Sequence, residues 1–132
     1  LRMLYSLEIS QEEIDRTPTM VSMDLLNDGF ITAIKRSFPA GLAWLGLGGE
    51  LTIPNNFPYL AQGIRKSFAS PDMRFFEHHG EPDEGHHNDS NMLLAMQLNN
   101  DADREQVRAE VAKALFLRTA VWTEMADAAA RL

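Results

Sequence analysis

The chain has 132 residues, of which 45% are apolar and 23% are charged, so it can bury a hydrophobic core and is too apolar to be mainly disordered. It has no cysteine, which excludes disulfides, thiolate metal sites and a cysteine nucleophile. The net charge of −7 and the scarcity of paired basic residues argue against a nucleic-acid surface, and no apolar run is long enough for a membrane span. We therefore expect a cytoplasmic protein that binds neither nucleic acid nor a membrane.

Helical signals follow one another along the first half of the chain. Ser10-Gln-Glu-Glu13 predicts a capping box, and apolar residues at helical spacing predict a helix from about Pro18 to about Ser37. Residues 40–53 are almost wholly apolar, with Glu50 as their only charge, which predicts a buried helix. A further helix is predicted after the Asn55-Asn56 pair, where either asparagine can cap it.

The second half of the chain is also predicted to be helical. Ser70-Pro71-Asp72 is a helix start signal, and this helix is expected to continue to about Leu98, although glycine and proline argue against a regular course. The last helix is expected to run from about Ala102 to the end. No segment is a convincing strand, so the predicted fold class is all-α, with five or six helices packed as a bundle.

All four histidines lie between positions 78 and 87, among several acidic residues. On a helix, a rotation of about 100° per residue places His79, Asp83 and His86 on one stripe over two turns. Two imidazoles and one carboxylate suit iron, zinc, manganese or nickel, and with open positions they are typical of oxygen-activating non-haem iron. Pro82 stands inside this stripe, removes a helical hydrogen bond and can displace His79.

Two alternatives stand beside the metal interpretation. Histidines and acids can simply cover a solvated helix face. Glu50 favours a metal because a lone carboxylate in an apolar helix needs a partner. The alternatives for Glu50 itself are an ion pair with an arginine such as Arg65 or Arg118, or exposure at one end of the bundle.

The segment RFFEHHGEPDEGHH resembles the signature of the iron-containing redox enzymes, the haem-oxygenase-like di-iron oxidases. That signature is an aromatic pair followed by His, three residues, Asp, two residues and His. The family also carries a glutamate about thirty residues upstream in an apolar helix, which WLGLGGELTIP resembles. The similarity covers most of the chain, from about Thr17 to about Met125. The residues that match the family's metal ligands are Glu50, His79, Asp83 and His86.

The resemblance implies a haem-oxygenase-like helical bundle that binds iron through side chains. The expected cofactor is Fe²⁺, in one or two ions, with manganese as an alternative and no haem. The implied activity is that of a non-haem iron oxidase or oxygenase that uses dioxygen on a small organic substrate such as an amine, an amino acid or a fatty acid. A pocket lined by Trp44, Phe75, Phe76 and Leu94 and a homodimer are further expectations.

The family's remaining ligands, a glutamate and a histidine on an earlier helix, have no counterpart in this sequence. The chain also begins with Leu1 instead of Met. We therefore expect residues 1–132 to form a single helical domain that is the C-terminal portion of a longer one and lacks the N-terminal helices. The sequence does not identify a catalytic residue.

Two other functions remain open from the sequence. One is a helical binding or structural module with no turnover. The other is a cofactor-independent oxidase or a hydrolase on the same bundle, as in relatives of pyrroloquinoline-quinone synthase or thiaminase. The absence of cysteine disfavours the thiaminase version.

Overall fold

The computed structural model describes residues 1–80 and 84–131, without the side chains of residues 80–88. The described residues form helices and no strand, which confirms the predicted all-α fold class. None of the described helices combines the length and the hydrophobicity that crossing a bilayer requires. In chain order the helices are α1 (Arg2–Ser6), α2 (Gln11–Arg16), α3 (Val21–Arg36), α4 (Phe38–Leu42), a π-helical turn (Ala43–Leu47), a 3₁₀ turn (Glu50–Thr52), α5 (Ile53–Ser67), α6 (Arg74–Gly80), α7 (Glu84–Gln97) and α8 (Asp101–Ala129).

The described residues belong to two compact units. The first contains Leu1–Pro18 and the chain from Thr52 to α6, and the second contains Thr19–Leu51 and the chain from Glu84 onward. The first unit has one core cluster, in which Ala61 of α5 and two residues at the start of α6 are buried. The expectation of a single domain stays a prediction.

The core of the second unit is built from small residues around one tryptophan. Trp44 is 4% exposed and packs against alanines of α3, α4 and α8. A Cβ atom at Gly29 of α3 would overlap the Trp44 ring, and one at Gly48 would overlap the Cβ of Ala114. The glycines therefore allow the segment after α4 to lie in direct contact with both α3 and α8.

An ion pair between a buried glutamate and a half-exposed arginine joins α3 to α8. Glu110 is 4% exposed and accepts a hydrogen bond from the Arg36 guanidinium. Glu110 is not among the predicted functional or core residues, although it lies three residues after Val107 and four before Ala114, both of which are buried. This spacing puts it on the same face of α8, and the arginine supplies the partner that a buried carboxylate needs.

Several predicted elements are confirmed. Ser10 and Glu13 form the capping box of α2 with both of its hydrogen bonds. The helix predicted from Pro18 to Ser37 is α3, and the predicted final helix is α8, whose N-cap Asn100 accepts a hydrogen bond from the Asp103 amide at 2.9 Å.

Residues 40–49 of the predicted buried helix are mostly buried, but residues 40–53 do not form one regular helix. The amide of Gly48 donates to the Ala43 carbonyl, five residues back, at 2.9 Å, which widens the helix into a π turn before the 3₁₀ turn at Glu50. The glycines allow this change of pitch because they can approach neighbouring chain segments closely. Glu50 is consequently half-buried, not fully buried.

The start of α6 and the helix count also differ from the prediction. α6 begins at Arg74 because Asp72 is held outside it: the Asp72 amide donates to the Ser6 hydroxyl at 2.7 Å, and its carboxylate accepts from the Arg74 amide at 3.2 Å. The helix predicted through the histidines contains α6 and α7 among the described residues, and it stays a prediction at residues 81–83, which lie outside them. Eight α-helices are described instead of five or six.

The buried pair predicts a specific stability pattern. We expect Arg36→Met to lower the free energy of unfolding by about 3 kcal/mol, because Glu110 would stay buried without its partner. The double variant Arg36→Met/Glu110→Leu should regain most of this loss, since it removes the buried charge as well. Urea unfolding followed by circular dichroism measures both.

The matched control is Arg16→Ala. Arg16 pairs with Glu12 on α2 at 3.4 Å, and both side chains are 79% exposed. This variant should cost less than about 0.5 kcal/mol. Equal losses in Arg36→Met and Arg16→Ala would contradict a structural role for the buried pair.

The glycine contacts predict opposite effects for two alanine substitutions. Gly48→Ala should destabilise the protein by about 1–3 kcal/mol, because the added methyl overlaps Ala114. At Gly63 of α5 the added methyl would meet nothing within 4 Å, so Gly63→Ala should stabilise the protein by up to about 1 kcal/mol. The midpoints of thermal or urea unfolding test this, and a stable Gly48→Ala protein would contradict the close packing.

Candidate metal centre

His79 lies on the exposed face of α6 in the first unit. Its Nδ1 is 2.7 Å from the backbone carbonyl oxygen of Phe75, four residues earlier. Its ring centroid is 4.7 Å from that of Phe75 and 6.3 Å from that of Phe57. The imidazole is therefore held by one hydrogen bond and two aromatic contacts.

The hydrogen bond determines which ring nitrogen of His79 is free. A carbonyl oxygen only accepts, so Nδ1 must carry the proton that it donates. In the neutral ring, Nε2 then carries a lone pair that can bind a metal. Metal-ligating histidines commonly donate the other ring N–H to a backbone carbonyl or a carboxylate, which fixes the ring orientation. The Phe75–His79 pair has this arrangement.

The position of α6 follows from its buried side. Met73 and Phe76 are 8% and 7% exposed, and they pack against the side chains of α5. Phe75 and His79 are four residues apart and share the opposite, exposed side. Arg65 of α5 donates to Glu77 at 3.0 Å and joins the two helices at the surface.

A cleft of about 860 Å³ in the first unit opens beside His79. Phe75 and the N-terminal residues Leu1, Met3 and Leu4 contribute apolar surface to it. Of the four residues expected to line a substrate pocket, Phe75 lines this cleft, whereas Trp44, Phe76 and Leu94 are buried in the hydrophobic cores. The remaining lining residues of the cleft are Arg2, Asp72, Arg74, Glu77, His78 and His79.

Glu50 lies in the second unit, in the 3₁₀ turn that follows the π turn. Within the described part of the chain, no ion pair involves its carboxylate, so neither arginine suggested by the sequence neutralises it. Arg65 binds Glu77, and the Nε atom of Arg118 is buried with no hydrogen-bond partner among the described residues. π turns are frequent at functional sites, and Glu50 follows one closely in the chain.

Asp83 and the side chain of His86 lie outside the described residues, so their part in the candidate site stays a prediction. Among the described side chains, no three histidines, aspartates or glutamates form a group that could hold a metal ion. Only Glu50 and His79 of the predicted ligand set belong to those side chains. Each fits iron by itself, as an oxygen or an imidazole donor.

Comparison with known proteins gives one result for the family. The model of a protein family described as iron-containing redox enzymes matches residues 1–119 of the chain. The chain belongs to this family, which confirms the resemblance found in the sequence and identifies an iron oxidoreductase in general terms. No significant match was found among curated proteins or among solved structures.

The Asp72–Arg74 pair, which lines the cleft just before and at the start of α6, predicts a dependence of stability on pH. Hydrogen bonds from the Arg74 guanidinium, one of them from Nε at 2.9 Å, and from the Arg74 amide lower the pKa of Asp72 to about 2. This pKa is below the ordinary value of about 3.9 for an aspartate. The charged Asp72 carboxylate therefore stabilises the folded chain above that pH, and this contribution is lost as the pH falls towards 2. Arg74→Ala should raise the Asp72 pKa towards the ordinary value.

Carboxyl-carbon NMR across an acid titration measures the Asp72 pKa directly. Arg104→Ala is the control, because Arg104 pairs with Asp101 on α8 and belongs to the other unit. An Asp72 pKa that is unchanged in Arg74→Ala would contradict the assigned cause.

Proposed function

We propose that the chain is the iron-binding part of a non-haem oxidase or oxygenase that uses dioxygen on a small organic substrate. Glu50, His79, Asp83 and His86 are the proposed ligands, for up to two iron ions. The single observation that best supports the proposal is the hydrogen bond from His79 Nδ1 to the Phe75 carbonyl, at 2.7 Å. It leaves Nε2 as the coordinating atom.

Family membership supports iron as the metal, and the donor set supports side-chain ligation instead of haem. Imidazole and carboxylate donors without thiolate suit Fe²⁺, and manganese binds similar ligands. When bound, iron would supply redox chemistry with dioxygen. Imidazole and carboxylate side chains cannot supply that chemistry by themselves. The hydrogen bond to the Phe75 carbonyl would hold the His79 imidazole in one orientation, and the Glu50 carboxylate would contribute negative charge to the metal site.

The cleft beside His79 supports a small organic substrate. Its volume of about 860 Å³ lies in the range of small-molecule sites. The exposed Phe75 ring, which also contacts the His79 ring, offers an apolar surface to a substrate next to the proposed ligand. Two of the cleft carboxylates are already paired, Asp72 with Arg74 and Glu77 with Arg65, so the cleft offers little free negative charge to a cationic group.

The two neighbouring histidines of α6 allow a matched test. His78 and His79 are both exposed and their ring centroids are 5.3 Å apart, but the bond to the Phe75 carbonyl belongs to His79. Anaerobic titration of the metal-free chain with Fe(II), against a competing chelator, gives the dissociation constant of each variant. We expect His79→Ala to weaken iron binding at least about tenfold and His78→Ala to leave it nearly unchanged.

Circular dichroism and urea unfolding should show that both variants stay folded. Oxygen consumption by the iron-loaded chain is the second measurement, and it should fall in His79→Ala and persist in His78→Ala. Equal, weak iron binding by the wild type and both variants would reject the proposal and favour a helical module without turnover.

A further inference from the structure

Two buried hydrogen-bond donors on α8 have no acceptor. The Nε atom of Arg118 and the Nε1 atom of Trp122 are both shielded from solvent, and neither has a hydrogen-bond partner in the part of the chain that the structure describes. The two residues are four apart, so they are neighbours on one face of the helix. An unmet buried donor is costly, and two such donors side by side indicate that something else satisfies them.

The nearest carboxylates along α8 are already engaged. Glu110 binds the Arg36 guanidinium. Glu124 accepts a hydrogen bond from the Ser22 amide at 3.0 Å and another from the Ser22 hydroxyl. Hydrogen bonds from Ser22 also lower the pKa of Glu124, which shows that this carboxylate is satisfied as an anion. Neither glutamate is therefore available to Arg118.

The Arg118 guanidinium lies beside the segment that carries Glu50. Its Nη2 atom is 3.4 Å from the position that a Cβ would take at Gly49, the residue before Glu50. One turn earlier on α8, Ala114 is in contact with Gly48. This face of α8 therefore lies against Gly48 and Gly49, directly before the proposed ligand Glu50. All of these residues belong to the second unit.

The chemistry of the two donors defines their ligand. Arginine presents a planar fork of N–H groups that matches a carboxylate, and an indole nitrogen can only donate. Burial lowers the pKa of Arg118, because it disfavours the charged form of the guanidinium. Both residues are partly exposed although these two nitrogen atoms are not, so the donors lie beneath a partly exposed surface of α8.

We infer that Arg118 and Trp122 bind the carboxylate group of an organic acid, which is the substrate of the site next to Glu50. This assignment rests on the proposed function, since that function makes the bound acid a substrate. It selects amino acids and fatty acids over simple amines, because an amine offers a positive charge and no acceptor to two donors.

The test uses the metal-free full chain, so it does not depend on turnover. The chain contains two tryptophans, and their indole N–H groups give two separate signals in a nitrogen–proton correlation spectrum of the ¹⁵N-labelled protein. Trp122→Phe assigns them by removing one. We expect octanoate to shift the Trp122 indole signal in a saturable manner and to leave that of the buried Trp44 nearly unmoved. Octylamine, which has the same chain length, should shift neither.

Variants test the role of the guanidinium. Arg118→Gln should weaken octanoate binding at least tenfold, and Arg118→Lys should also weaken it because it keeps the charge and loses the fork. Arg108→Gln is the control, since Arg108 is an exposed arginine of α8 that pairs with Glu105. Trp122→Phe, read by calorimetric titration, gives an independent measurement if Arg118→Gln does not fold.

The outcomes separate this inference from the proposed function. An unmoved Trp122 signal at millimolar octanoate, or equal shifts with octylamine, would overturn the inference even if iron binding depends on His79. A carboxylate-specific shift that Arg118→Gln abolishes would support it even if the His79 variant binds iron normally.

Discussion

Close contact at two glycines is the constraint on which the second unit depends. Gly29 lies under the Trp44 ring and Gly48 lies against Ala114, so the segment that joins α4 to the 3₁₀ turn contacts α3 on one side and α8 on the other. Lys113 adds a cation–π contact, with its Nζ atom 5.5 Å from the centre of the Trp44 ring. The Glu50 turn follows directly from this packed segment, so its position depends on contacts made several residues earlier.

The π turn is the local consequence of this packing. A regular α-helix over residues 43–47 would point the following residues in a different direction, because each inserted residue rotates the chain by about 100°. The bond from the Gly48 amide to the Ala43 carbonyl adds that rotation. The half-buried position of Glu50 is therefore produced by the backbone, and a carboxylate in such a position remains available to a cation, unlike one fixed by an ion pair.

The sequence predicts the elements whose signals are local. The capping box of Ser10 and Glu13 and the apolar spacing of α3 depend on residues within one or two turns, and both are confirmed. The π turn and the buried Glu110 pair could not be predicted in the same way, because they depend on contacts between residues far apart in the chain. The tautomer of His79 is an intermediate case, since a carbonyl four residues earlier is available in any helix but its use depends on the side-chain rotamer.

Two charged residues of α8, Glu110 and Arg118, show how stability and function divide along one helix. Glu110 has a partner from α3, and the pair links two helices of the core. Arg118, two turns later, has its Nε atom buried with no acceptor in the described residues, and an unmet buried donor costs stability. Because local rules tend to be broken at functional positions, the contrast with Glu110 favours a ligand-binding role for Arg118 over a structural one.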